Sequence, residues 1–391
     1  MPDKQTNADN KAVEAIEAIN LPGAPIDPVE LGFGSLLAAF GKTSPITAAR
    51  ELRAGNINMT YLVQLASGEK LILQRINHHV FKEPEKIMAN IQGVTAHLKT
   101  KIPVGVPDPA RRVLTFMKKP NGTMLEWDND GQPWRCYSYV EGATAYNAAE
   151  KQEHLCETGR AFGAFQRDLA DFPINTLYET IEGFHDTPKR YKTFIAAVEA
   201  DRVGRNAAAA KEIEAIRIRE PLASLITGQL SQGTLPKRVT HNDTKINNVL
   251  IDDATDEAVC VIDLDTVMPG SSLYDFGDMI RFGASTAVED EPDLSKIALD
   301  LEKFEQFTKG FVLETRGFLD RDELLALPLG CLVITYELAM RFLTDYLDGD
   351  RYFRVWGPEH NLIRARAQMR LLEDMESKYD AMVRFIEDHI D

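Results

Sequence analysis

His241-Asn242-Asp243-Thr244-Lys245-Ile246-Asn247-Asn248 runs directly into Val249-Leu250-Ile251-Asp252. After the polar stretch Asp253-Ala254-Thr255-Asp256-Glu257 comes Ala258-Val259-Cys260-Val261-Ile262-Asp263-Leu264-Asp265. Two short β-rich runs joined by turn-forming residues predict a hairpin. The H-x-D-x-x-x-x-N stretch is therefore a loop set at the hairpin's mouth. A loop that gathers a carboxylate, an ammonium and an amide within six residues, with a further carboxylate where the second strand returns, suits phosphoryl transfer. That reaction asks a protein mainly to align an acceptor hydroxyl, take its proton and neutralise charge on the phosphoryl oxygens.

In this reading Asp243 accepts the proton, Lys245 brings its ammonium toward the transferring phosphate, and Asn248 turns its amide oxygen to Mg²⁺. His241 supports the loop. Asp263, at the end of the returning strand, is the second metal ligand. Asp275-Phe276-Gly277 matches the D-F-G metal motif of protein kinases, but it lies twelve residues beyond Asp263, past Pro269-Gly270 and entering a helix. Asp275 is therefore expected to accept backbone N–H groups of the catalytic loop and brace it.

Outward from this loop the chain changes character. Residues 148–170, 188–200, 207–227, 295–315, 321–347 and 358–388 carry i, i+3, i+4 apolar spacing and predict helices. Ahead of them the runs at 46–53, 59–66 and 70–77 predict an antiparallel meander, followed by a helix over 82–100 and strands at RRVLTF and PWRCYSYVEG. The fold class is α+β, with a helical arm over 1–45 centred on residues 12–19, a sheet-based lobe over 46–141 and a mainly helical lobe over 142–391. At 391 residues the chain is long enough for two lobes sharing a cleft.

Composition narrows the partners. A net charge of −16 argues against nucleic acid, whose binding depends on clustered Lys and Arg. The four cysteines are widely separated, with no zinc spacing, and read as reduced thiols. The N-terminal stretch has no apolar signal core and no later run reads as a membrane span, so a cytoplasmic protein is expected. Gly41-Lys42-Thr43 lacks the earlier glycine of a P-loop, and Gly32-Phe33-Gly34 lacks the third glycine of a dinucleotide fingerprint. His78-His79 has no third ligand at metal spacing.

With these residues in view, the chain resembles the aminoglycoside phosphotransferase-like kinases, and within them the N-acetylhexosamine 1-kinases. The resemblance rests on Asn56-Ile57-Asn58, Leu73-Gln74-Arg75-Ile76-Asn77, Phe184-His185-Asp186-Thr187-Pro188, the HNDTKINNVL loop, IDLDTVMPG, YDFGDMIR and Arg341-Phe342-Leu343-Thr344-Asp345-Tyr346-Leu347. It implies a protein-kinase-like bilobal fold and ATP- and Mg²⁺-dependent phosphorylation of the anomeric hydroxyl of N-acetylglucosamine or N-acetylgalactosamine. Arg341 and Tyr352 match sugar-binding positions of that group. Read from the residues alone, Arg341 is a solvated partner of Glu337 one turn earlier, and Tyr352 either carries its ring to a cleft or packs in a core. The resemblance further implies that the backbone of Ser138, Tyr139 and Val140 meets adenine and that the loop around Asn56 covers the phosphates. Kinases place a lysine on the third strand to grip the phosphates; here Gln74 stands there. A kinase for another small hydroxylated acceptor and an inactive kinase-like binding module stay open as alternatives.

Overall fold

A computed structural model describes residues 23–29, 31–52 and 57–390. The helical pattern at 12–19 and Asn56 lie outside the described residues. The chain divides at Glu141/Gly142 into two compact units.

The first unit is built on a six-stranded antiparallel sheet in the order β1-β2-β3-β4-β6-β5: β1 Ala24–Pro25, β2 Ile46–Leu52, β3 Met59–Leu65, β4 Lys70–Arg75, β5 Glu126–Trp127 and β6 Pro133–Ser138. Alternation along β3 and β4 sends Tyr61, Val63, Leu71 and Leu73 to one face, where they meet Phe33, Leu36, Leu37 and Phe40 of the Phe33–Ala39 helix and its end. This corrects the expected arm over 1–45. Its described second half belongs to the sheet unit, with β1 paired to β2 and Phe33 set edge-on against Tyr61 at 5.0 Å. The opposite face carries Ala48, Leu62 and Ile72, and the Pro84–Lys101 helix follows β4. RRVLTF is not a strand; its first residue, Arg111, closes a short 3₁₀ turn, Pro109–Arg111, and its last, Phe116, makes an isolated bridge to Tyr137.

The second unit is mainly helical and, among the described residues, holds a large hydrophobic core. Its central helix, Arg321–Asp348, begins with a capping box of Asp320 and Glu323, ends at Gly349 in the left-handed region, and is buried over most of its circumference. An 18-residue window of it is long and apolar enough to cross a membrane, against the expectation of no such run, yet 78% of that window is buried inside the protein. The helix expected over 207–227 breaks in two, Ala210–Ile218 and Leu225–Gln232, around a 3₁₀ turn containing Pro221, whose missing N–H cannot continue the ladder.

The hairpin forms within this helical unit: β9 Val249–Asp252 pairs with β10 Ala258–Val261, and β7 Ala143–Ala145 adds to the far side of β9. A second ribbon pairs β8 Arg238–Thr240 with β11 Met268–Gly270. It needs glycine at 270, where a Cβ would stand 2.3 Å from the Thr240 hydroxyl. Chain entering residues 241–248 and chain leaving residues 262–266 are thereby pinned to each other.

Candidate active site

The loop over 241–248 is held from beneath by the Ser272–Gly283 helix. Asp275 accepts the His241 N–H at 2.9 Å, the Asn242 N–H at 2.7 Å and the Gln166 side-chain amide at 2.7 Å. One turn later Asp278 accepts the Thr244 N–H at 3.2 Å and ion-pairs with Arg281 at 3.0 Å. Two carboxylates at i, i+3 on one helix face thus fix three N–H groups around Asp243. The expected bracing role of Asp275 is what the structure contains.

His241 is fully buried between the rings of Phe162 and Phe165. Its Nε2 lies 2.9 Å from the Ile262 carbonyl; a carbonyl only accepts, so Nε2 carries the proton. The Ile262 N–H in turn donates to the Asn248 carbonyl at 2.9 Å. These bonds put Asn248 beside the segment that contains Asp263. Asn242 and Asp263 both have positive φ, 64° and 59°, a region that non-glycine residues enter at a cost. At Asn242 the surroundings enforce it: the N–H is held by Asp275 and the side-chain amide donates to the Thr266 carbonyl at 2.9 Å.

Asp243 is half-buried, with Lys245 Nζ 2.7 Å from one carboxylate oxygen. The Asn248 side-chain nitrogen donates to the Asp243 carbonyl at 2.7 Å and reaches its other carboxylate oxygen at 3.2 Å. Burial works against ionisation of Asp243, but the Lys245 ammonium, His241 and the Asn248 amide outweigh it and hold the carboxyl below its usual range. Burial likewise opposes the Lys245 charge, and Asp243 and Asp278 restore it, so the ammonium persists above its usual range. The loop therefore presents an ionised carboxylate of low basicity beside a fixed cation. Because its nitrogen points at Asp243, Asn248 turns its amide oxygen away from that carboxylate, as a metal-binding amide must. No group of three or more His, Cys, Asp or Glu able to hold a metal occurs among the described residues. Asn248 and Asp263, the residues expected to hold Mg²⁺, would leave the rest of its shell to waters and substrate phosphates.

In the first unit Gln74 lies in a row across the sheet, opposite Thr60 on β3 and Arg135 on β6. Its amide nitrogen donates to the Thr60 hydroxyl at 2.8 Å, and its oxygen accepts from Arg135 Nε at 2.8 Å. A buried guanidinium thus stands against the glutamine that replaces the expected lysine; the sequence reading missed Arg135, since nothing in PWRCYS reveals its cross-strand partner. Of the backbone donors expected to meet adenine, Ser138 N–H bonds the Thr115 carbonyl at 2.9 Å and Tyr139 N–H the Lys70 carbonyl at 3.3 Å. The Val140 N–H makes no hydrogen bond among the described residues.

A polar cluster in the second unit surrounds Arg341. Glu337 is not the solvated partner that helical spacing suggested but has no exposed surface; it accepts from His185 and Thr187 and ion-pairs with Arg190. Arg341 lies 5.9 Å from the Phe184 ring, 6.0 Å from Tyr352 and 5.5 Å from Phe353. Tyr352 is not a core residue; it is 69% exposed. Asp345 fixes the turn that carries it by accepting the N–H groups of Arg351, Tyr352 and Phe353 at 2.8, 2.8 and 2.9 Å. Tyr274, the neighbour of Asp275, stacks on His185 at 4.6 Å, so the helix that braces the 241–248 loop also supports the Arg341 cluster.

The sheet-then-helix order, the hairpin and the braced loop define a kinase-like fold. The chain belongs to the phosphotransferase enzyme family (APH), whose model matches residues 48–307. Among solved structures it is similar to a microcompartment-associated aminopropanol kinase, with a TM-score of 0.61, 17% identity and coverage of 90% of this chain and 98% of that one. It is similar also to a Plasmodium vivax ethanolamine kinase (0.55, 11%, covering 94% and 95%). A third is an amicoumacin kinase in complex with AMP-PNP, Ca²⁺ and Ami (0.54, 13%, covering 94% and 93%).

Proposed function

We propose that this phosphotransferase uses ATP and Mg²⁺ to phosphorylate the anomeric hydroxyl of an N-acetylhexosamine, N-acetylglucosamine or N-acetylgalactosamine. Bound with its metal, the nucleotide supplies the phosphoryl group and the charge that activates it. Asp243 orients the sugar hydroxyl and takes its proton as the hydroxyl oxygen attacks. Lys245 keeps Asp243 ionised and in place and adds positive charge near the transferred oxygens, while Asn248 and Asp263 hold the metal. The low basicity of Asp243 fits a late proton transfer, in which positioning matters more than proton abstraction.

The observation that carries the sugar reading is the charge of the acceptor-side cluster. An amino alcohol or aminoglycoside calls for a carboxylate facing its ammonium group. Here Glu337 is buried and engaged, Asp345 is engaged by backbone N–H groups, and the group set among aromatic rings is the Arg341 cation. A guanidinium donates to an amide carbonyl such as that of an acetamido group, and the exposed Tyr352 ring offers a flat face for a sugar. The experiment is an ADP-release assay with ATP and Mg²⁺ over N-acetylglucosamine, N-acetylgalactosamine, glucose, ethanolamine, aminopropanol and kanamycin. Turnover led by the N-acetylated sugars is expected; turnover led by a cationic acceptor would overturn the assignment.

A further inference from the structure

The His185 ring is held on three sides. Its Nδ1 meets the fully buried Glu337 at 3.1 Å, its face stacks on Tyr274, and the Phe184 ring stands against it at 4.6 Å. Glu337 also accepts the Thr187 hydroxyl at 2.6 Å and lies 3.4 Å from Arg190 Nε. Burial opposes ionisation of Glu337, but His185, Arg190 and Arg341 bring its carboxyl down to about 2. An ionised carboxylate only accepts hydrogen bonds, so Nδ1 carries the proton, and in the neutral ring Nε2 is left as an acceptor. That Nε2 makes no hydrogen bond among the described residues, yet it is not sealed in the interior, and the side chain keeps 10% of its surface exposed. Phe184, which touches His185, is one of the rings around Arg341.

We propose that His185 is a substrate-binding residue: its Nε2 accepts a hydrogen bond from a hydroxyl of the acceptor sugar, beside the donors of Arg341. The proposal rests on the sugar-kinase reading above. A polyol needs acceptors as well as donors, and the carboxylates of this cluster, Glu337 and Asp345, are already occupied by protein N–H and O–H groups. An imidazole held in one tautomer supplies the acceptor without the negative charge that would draw in cationic alcohols. Glu337 acts through His185 and is a positioning residue.

Two substitutions separate binding from scaffolding. His185→Asn keeps an amide near the Nδ1 position and can still bond Glu337, but has nothing at Nε2. His185→Gln reaches the Nε2 position and gives up the bond to Glu337. Both are assayed on whichever acceptor of the panel the wild-type enzyme turns over, so a wrong sugar changes the wild-type profile while a wrong role for His185 does not. The expected result is an acceptor KM raised about tenfold or more in His185→Asn, with melting temperature and nucleotide Kd unchanged, and a smaller KM rise in His185→Gln despite its lower melting temperature. A wild-type KM in His185→Asn, or KM changes in both variants that follow their loss of stability, would overturn the proposal.

Discussion

Asp275 grips Asn242, the residue immediately before Asp243, through a 2.7 Å bond from the Asn242 N–H, while Asn242 sits at a φ of 64°. The strained backbone that presents Asp243 is thus maintained by a carboxylate on a different element. This distinguishes the Asp-Phe-Gly of this chain from a metal-binding motif. Asp275→Ala leaves the His241 and Asn242 N–H groups buried without acceptors, each at a cost of about 1–3 kcal/mol. The expected outcome is a lower urea midpoint and a fall in kcat, with the apparent Mg²⁺ affinity of the folded fraction unchanged. Asp263→Asn should do the reverse, weakening Mg²⁺ and sparing stability. A Mg²⁺ titration of both variants checks the pair.

Glu337 gives a pH signature. Its folded carboxyl lies at about 2 against an ordinary value of 4.5, so its contribution to stability is fully present above about 4.5 and is lost as pH falls toward 2. Glu337→Gln should remove that contribution. Urea unfolding from pH 7 to pH 2.5 is expected to show a variant less stable than wild type by about 3–5 kcal/mol at pH 7, the cost of breaking a buried charged network, with the gap closing in acid. A gap independent of pH would mean that Glu337 is not the titrating group.

Arg341 is expected to discriminate between neutral and cationic acceptors. Arg341→Lys keeps the charge and loses the planar fork, so an acceptor KM raised about tenfold with little change in nucleotide Kd is expected. Arg341→Ala should in addition relax discrimination against ethanolamine and aminopropanol. The check is kcat/KM on the sugar and on both amino alcohols for each variant.

Gln74 and Arg135 form a matched buried pair, and restoring the lysine of other kinases should harm this one. Gln74→Lys sets an ammonium against the Arg135 guanidinium and removes the oxygen that accepts its bond at 2.8 Å. Differential scanning should show a melting temperature lowered by several degrees, equivalent to about 1–3 kcal/mol.

The loop over 241–248 was legible because its polar residues are local: His241, Asp243, Lys245 and Asn248 fall within eight residues, and the hairpin behind them has ordinary turn chemistry. The bracing by Asp275 followed from its distance beyond Asp263. Ribbons β8–β11 and strand β7 are only three residues per strand, too short for alternation to register, so the device that pins the loop went unseen. Glu337 was misread because Arg321–Asp348 is buried on nearly all sides, and helical spacing cannot tell a solvated i, i+4 pair from a buried one. Arg135 depended on strand register, which periodicity does not supply. The Phe33–Ala39 helix is only seven residues long and was absorbed into the arm that precedes it, although its apolar face is part of the sheet core.

The most direct test of the sugar 1-kinase reading is the position of the phosphate on the product. Incubation with ATP, Mg²⁺ and N-acetylglucosamine, followed by ¹H and ³¹P NMR, should give an anomeric proton split by phosphorus, with the methyl glycoside, whose anomeric hydroxyl is blocked, left unmodified. Phosphate on any other carbon, or turnover of the methyl glycoside, would contradict it.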